Sequence, residues 1–200
     1  DVYVAGSDQI WNPYIFANRQ FDPAFLLDFG GAVRRIAYAP SLGVPTLPED
    51  KSAELKGFLA PFSALSVREK RGQVLLRETA DRQARVVLDP TLLLNGEDWG
   101  ALANPTRRKG PYILCYFVSD PAEAAPYALA LSQKTGWPIV QLAGARRKIE
   151  GARELVFDAG PREFLGLFQN AGAVVTNSFH GAAFSLQFPK NFHEFSLLSD

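Results

Sequence analysis

The chain has 200 residues, 47% of them hydrophobic, enough to build one large core or two small ones. Its 21 basic and 21 acidic residues cancel, and the short basic runs at 106–110 (TRRKG) and 145–148 (ARRK) read as solvated loop charge, so nucleic acid is excluded as a partner. A single cysteine rules out an internal disulfide, and no apolar run approaches the roughly 20 residues of a membrane span; the expected setting is the cytoplasm, with at most peripheral membrane association.

Short apolar runs alternate with longer amphipathic ones. Residues 1–6 (DVYVAG), 34–41 (RRIAYAPS), 64–69 (ALSVRE) and 84–90 (ARVVLDP) read as strands, being apolar, β-branched and closed by turn formers. Helices are expected over 48–60, opened by Pro48 and acids, and over 71–80. The Pro-, Gly- and Asn-rich stretch 95–111 is the expected linker. The rhythm then restarts, with strands over 112–118, 138–144, 154–160 and 173–178 and helices over 120–136, 161–172 and 181–188. Cys115, inside YILCYFV, reads as a small core residue.

Continuous apolar strands alternating with helices predict parallel sheets covered by helices. The expected fold class is α/β, with two Rossmann-like doubly wound domains, 1–98 and 99–200. The first is short of strands, and the chain opens on Asp1 and has no methionine, so an N-terminal domain truncated at its front is expected.

Ligands of open α/β sheets bind beyond the carboxyl ends of the strands. Three polar clusters stand at such ends. In NSFHG (177–181), Ser178 can cap a helix whose first amides, with Asn177 and a side-chain-free Gly181, form an anion site with His180 at its rim. A histidine hydrogen-bonded into the core is the alternative. In SVRE, Arg68 ends an apolar strand, where its planar fork suits a carboxylate or phosphate, or else an ion pair with Glu69, Glu78 or another acid. In GSDQIWNP, Gly6, Ser7, Asp8, Gln9, Trp11 and Asn12 offer donors and an aromatic face to a sugar or phosphoester, or else form an Asx-type turn lidded by Trp11. Asp89, in LDPTLLL, reads as a turn former, and His193 as a structural or surface residue. There is no GxGxxG after a strand, no P-loop, no GxSxG elbow and no metal-ligand spacing, so no cofactor and no metal are expected.

GSDQIWN, RIAYAPSLG, SVRE, VLDPTLLL with the following Trp99, and TNSFHGAAFS occur in that order. This series resembles the polysaccharide pyruvyl transferase family over nearly the whole chain. The resemblance implies a GT-B-like pair of domains facing a cleft. It implies transfer of a pyruvyl group from phosphoenolpyruvate to the hydroxyls of a sugar or lipid-linked oligosaccharide acceptor, as a ketal, with release of phosphate, in exopolysaccharide biosynthesis. By position, His180 matches the family's His-Gly histidine and Arg68 an arginine used for phosphoenolpyruvate. Asp8 is the candidate base for the acceptor hydroxyl. Well-known members have Arg-Leu before the His-Gly pair, where this chain has Ser178-Phe179, so one donor-binding cation is absent from the motif. Two other readings stand beside this one: a nucleotide-sugar glycosyltransferase of the same build, and a non-catalytic carbohydrate- or anion-binding homologue.

Overall fold

Each apolar run expected to be a strand overlaps one, but two are displaced: the strand expected over 64–69 runs Phe62–Val67, and the one expected over 154–160 runs Ala152–Val156. The computed structural model describes residues 1–29, 31, 33–105, 108–143 and 148–196. Parts of both basic runs, 106–107 and 145–147, lie outside the described residues, as does position 144 of the strand expected over 138–144. The chain divides into two compact units, Asp1–Leu93 and Leu94–Asp200.

The first unit runs β1 (Val2–Ala5), β2 (Arg34–Ala37), α1 (Glu49–Leu59), β3 (Phe62–Val67), α2 (Lys70–Ala80) and β4 (Arg85–Val86). All four strands are parallel and lie in chain order, β1-β2-β3-β4. Only two residues of the strand expected over 84–90 pair with β3; beyond them Asp89 and Pro90 turn the chain into a 3-10 turn, Pro90–Leu92. The core joins Ala5, Ala37, Phe62, Leu65 and Val67 of the sheet to Leu55 and Leu59 of α1 and Leu75 and Leu76 of α2. Val2 and Val4 alternate onto the opposite face and are exposed.

The second unit runs α3 (Gly96–Leu102), β5 (Ile113–Tyr116), α4 (Ala124–Thr135), β6 (Ile139–Leu142), β7 (Ala152–Val156), α5 (Pro161–Asn170), β8 (Ala173–Thr176), α6 (Phe179–Gln187) and β9 (Asn191–Glu194). Its five strands are parallel in the order β7-β6-β5-β8-β9. Alternation sends Ile113, Cys115, Ile139 and Val175 towards Ala124 and Ala128 of α4. It sends Leu114, Val140 and Val174 towards Leu165 and Phe168 of α5 and Phe184 of α6. Both faces are therefore covered, which explains why these strands read as unbroken apolar runs. Together the parallel sheets of four and five strands, with six helices among the described residues, make a Rossmann-like α/β protein.

Two expectations change. The stretch 95–111 holds α3, not only a linker. Asn95 Oδ1 accepts from the Glu97 and Asp98 amides, and Asp98 returns a bond to the Asn95 amide, a complete capping box. Its glycines serve packing: a Cβ on Gly96 would lie 2.1 Å from the Gln187 carbonyl oxygen of α6, and Trp99 meets the Phe184 ring edge-on at 5.4 Å. The second change is β9, whose polar sequence (NFHE) carries no strand pattern. Among the described residues it is an edge strand paired with β8, and His193 there packs on Tyr127 at a ring distance of 4.7 Å.

Candidate functional site

In the second unit the chain leaves β5 for β6 and β7 on one side and returns to β8 and β9 on the other. The carboxyl ends of β5 and β8 therefore form the point where the strand order reverses, the place where open α/β sheets bind ligands. Thr176, the last residue of β8, donates its hydroxyl to the Tyr116 carbonyl at 2.6 Å and accepts the Ser178 amide at 3.0 Å. Asn177 reaches across to the β5 side. Its Oδ1 accepts from the Val118 amide and its Nδ2 donates to Ser119 Oγ, both at 2.9 Å.

Ser178 is the N-cap of α6, its Oγ accepting from the Gly181 amide at 3.4 Å. His180 stands half-buried in the first helical turn, its ring edge-on to Phe179 at 5.2 Å, and Phe179 is exposed. The N-terminal turn of a helix carries the positive end of its dipole. Gly181 is buried and faces the sheet: a Cβ there would lie 2.1 Å from Thr176 Oγ1. Its missing side chain thus serves helix-on-strand packing, and the Asn177 side-chain amide is bonded to the β5 loop.

In the first unit, Arg68 follows β3 with its side chain only 9% exposed. Nη1 donates to Asp89 Oδ2 at 2.9 Å and Nη2 to Asp8 Oδ1 at 3.2 Å, while Nε lies 3.9 Å from Glu69 Oε2. The ion-pair alternative is the observed state, with Asp89 as its inner partner. Asp89 also accepts from Ser7 Oγ at 2.6 Å, Thr91 Oγ1 at 2.7 Å and the Thr91 amide at 3.0 Å. Burial pushes its carboxyl up, but the bonds from Ser7, Thr91 and Arg68 outweigh burial and hold it at about 2. Asp8 sits at φ +75°, its side chain 61% exposed, with Oδ1 also accepting the Gln9 amide at 2.8 Å.

The rest of GSDQIWNP is mostly scaffold. Trp11 is fully buried, donates Nε1 to the Phe25 carbonyl and meets Phe62 edge-on at 5.9 Å, so it has no face for a sugar. Asn12 is buried, bonded to Gln9 Oε1, and caps the 3-10 turn Pro13–Ile15. Gly6 is exposed at the rim.

The structure brings Ser7, Asp8 and Arg68 together in one unit and Asn177, Ser178, His180 and Gly181 in the other. Sequence reasoning read Asp89 as a turn former, which it is, and missed its place as the hub of the Arg68 network. Asp-Pro-Thr signals the turn, but nothing local signals a partner 21 residues away. Among the described residues no group of three or more His, Cys, Asp or Glu side chains is placed to hold a metal ion, and no helix is long and apolar enough to cross a membrane.

No curated protein matches the chain. The family model described as polysaccharide pyruvyl transferase matches residues 1–193 of the 200. With that match spanning both units and every strand among the described residues except the last position of β9, the chain belongs to the polysaccharide pyruvyl transferase family.

Proposed function

We propose that the chain transfers a pyruvyl group from phosphoenolpyruvate to two hydroxyls of a sugar or lipid-linked oligosaccharide, forming a ketal and releasing phosphate. The observation that carries this reading is His180, half-buried in the first turn of α6 where the strand order of the second sheet reverses. A titratable ring at a helix N-terminus, beside a capped anion-favouring end, suits proton transfer to an anionic donor.

In this reading His180 donates a proton to the methylene carbon of phosphoenolpyruvate, leaving an oxocarbenium-like centre at C2. One sugar hydroxyl attacks C2 and loses its proton. The C2–O bond to phosphate then breaks, and a second hydroxyl closes the ketal, losing the second proton. Two protons leave the hydroxyls; one replaces that given by His180 and the other departs with phosphate.

Asp8 is the base for the acceptor hydroxyl: among the described residues only its Oδ1 is hydrogen-bonded, which leaves Oδ2 to accept. Arg68 is assigned to the donor's anionic groups. Asp89 holds its Nη1 edge, and the exposed Asp8 is the partner that a ligand exchanges at Nη2. The N-terminus of α6 supplies the positive end that Ser178, in place of an arginine, does not.

The test combines phosphoenolpyruvate with a panel of oligosaccharide acceptors and follows phosphate release and the mass of the acceptor. Release coupled to a pyruvyl mass gain, lost in His180→Asn, supports the reading. No release with any acceptor, or release unaffected by His180→Asn, sinks it. Binding of a uridine diphosphate sugar without phosphoenolpyruvate turnover points to glycosyl transfer instead.

A further inference from the structure

The basic run at 106–110 reads from the sequence as solvated charge, and the structure gives its described part a place. There the chain enters β5 at the amino-terminal edge of the second sheet. A cleft of about 250 Å³ opens at this edge, between the residues that lead into β5, Pro138 just before β6, and Arg153 in β7. The Asn177–His180 turn stands at the opposite edge, where the strands have their carboxyl ends. The volume falls below the roughly 300–1,000 Å³ of sites for drug-sized molecules. The cleft therefore suits a single small ion or ester, not a sugar chain or a nucleotide.

The described lining is basic. Arg108 is held on β7: its Nε donates to Glu154 Oε2 at 3.0 Å and its Nη2 to Glu154 Oε1, a two-bond fork in which the two charges cancel. Lys109 and Arg153 also line the cleft, are exposed, and have no acidic partner among the described residues. Three cations thus face one carboxylate, an excess of two positive charges. Thr106 and Arg107, next in the chain and outside the described residues, include no acid, so they cannot reverse that sign. The side chains of the floor do not compete for a ligand. Buried Tyr112 commits its hydroxyl proton to the Leu167 carbonyl at 2.7 Å, and Val140 and Pro138 are apolar.

Two uncompensated positive charges over an apolar floor match a dianion better than a monocarboxylate. Lys109 brings a point charge with three donors and Arg153 a planar fork, both groups that take up phosphate oxygens. We propose that this cleft binds a dianionic phosphate group, free or as the ester of a small alcohol. The site stands apart from the pyruvyl-transfer reading, because no residue assigned to that reaction lines it.

The test follows the backbone amides of the whole chain by two-dimensional NMR. Inorganic phosphate, glycerol 3-phosphate or acetate is added at constant ionic strength. Both phosphates are expected to shift the amides of Lys109, Gly110 and Arg153 along saturating curves, and acetate to leave them in place. Lys109→Ser and Arg153→Ser should each weaken binding about fivefold or more, the loss of one unit charge some 4 Å from the ligand. Reversing both, Lys109→Glu with Arg153→Glu, should abolish binding while far-UV circular dichroism stays unchanged, since both side chains are exposed. His180→Asn, at the other edge, should leave the curves as they are, which separates this site from any anion held at the α6 turn. Tighter binding of the ester assigns the apolar floor to its organic part, and equal binding assigns the site to free phosphate; both support the proposal. Amides that do not move, shifts that rise without saturating, an equal response to acetate, or curves indifferent to the double reversal overturn it.

Discussion

Arg68 and Asp89 form a 2.9 Å ion pair whose side chains are only 9% and 2% exposed. The pair joins the ends of β3 and β4, and through Ser7 it also engages the end of β1. A buried pair is costly to break because the surviving charge is left without compensation. Replacing Asp89 with Ala strands the Arg68 guanidinium and removes the acceptor of three further bonds. The expected loss is about 3–5 kcal/mol, read as a lower urea midpoint for the first unit. A loss below ~1 kcal/mol would show that water or Asp8 takes over the guanidinium.

The same carboxyl predicts a pH dependence. Its folded value of about 2 lies below its ordinary value of 3.8. A depressed carboxyl contributes stability that is complete above the unfolded value and is lost as pH falls through the folded one. The contribution is roughly 2 kcal/mol, present above about pH 4 and lost towards pH 2. The stability gap between wild type and Asp89→Asn should therefore narrow as pH falls below 4, and stay constant between pH 5 and 8. A gap that persists unchanged at pH 2.5 contradicts the assignment.

Gly181 is a packing residue in this fold. A Cβ would meet Thr176 Oγ1 at 2.1 Å and Thr176 Cβ at 2.9 Å. Thr176 cannot yield easily, since its hydroxyl already donates to Tyr116 and accepts from Ser178. Gly181→Ala should cost ~1–3 kcal/mol by overpacking. Were the glycine there only for a ligand, the same change would stabilise α6 by about 1 kcal/mol through helix propensity. The sign of the shift in thermal midpoint separates the two.

The alternation of apolar runs with amphipathic ones made the two parallel sheets legible, most plainly the second, whose strands are buried on both faces and leave continuous Val, Ile and Leu. Ser178 as N-cap was readable for the same local reason: capping is decided within four residues. What stayed hidden depends on distance in the chain. Asp89 looked like a turn former because its turn is local and its bond to Arg68 is not. Trp11 offered an aromatic face on paper, but Phe62, 51 residues on, covers it. α3 was hidden by glycines that resemble a linker, although Asn95 and Asp98 spelled its capping box. β9 has no apolar pattern to read, since it is an edge strand with mostly exposed side chains.

Cys115, the chain's one cysteine, is fully buried between β5 and α4, and burial pushes its thiol up to about 12. A thiol held protonated and covered is a poor nucleophile at neutral pH. An aromatic disulfide reagent should therefore release no chromophore from the native chain and one equivalent after unfolding in guanidinium. Release from native protein within minutes would mean that the α4 side of the second sheet opens far more readily than its packing implies.

Asn177 ties the two strand ends at which the second sheet reverses. Its Oδ1 is the acceptor for the Val118 amide, and its Nδ2 donates to Ser119 Oγ. Asn177→Ala removes both bonds at a site that is 6% exposed. It should cost ~1–3 kcal/mol for the orphaned amide and speed hydrogen exchange at Val118. Asn177→Asp keeps an acceptor for Val118 but turns the Ser119 hydroxyl round, because its proton now goes to the new carboxylate. That variant should keep the slow exchange at Val118. Fast exchange at Val118 in Asn177→Asp as well would show that the acceptor at this position does not by itself hold the Val118 amide.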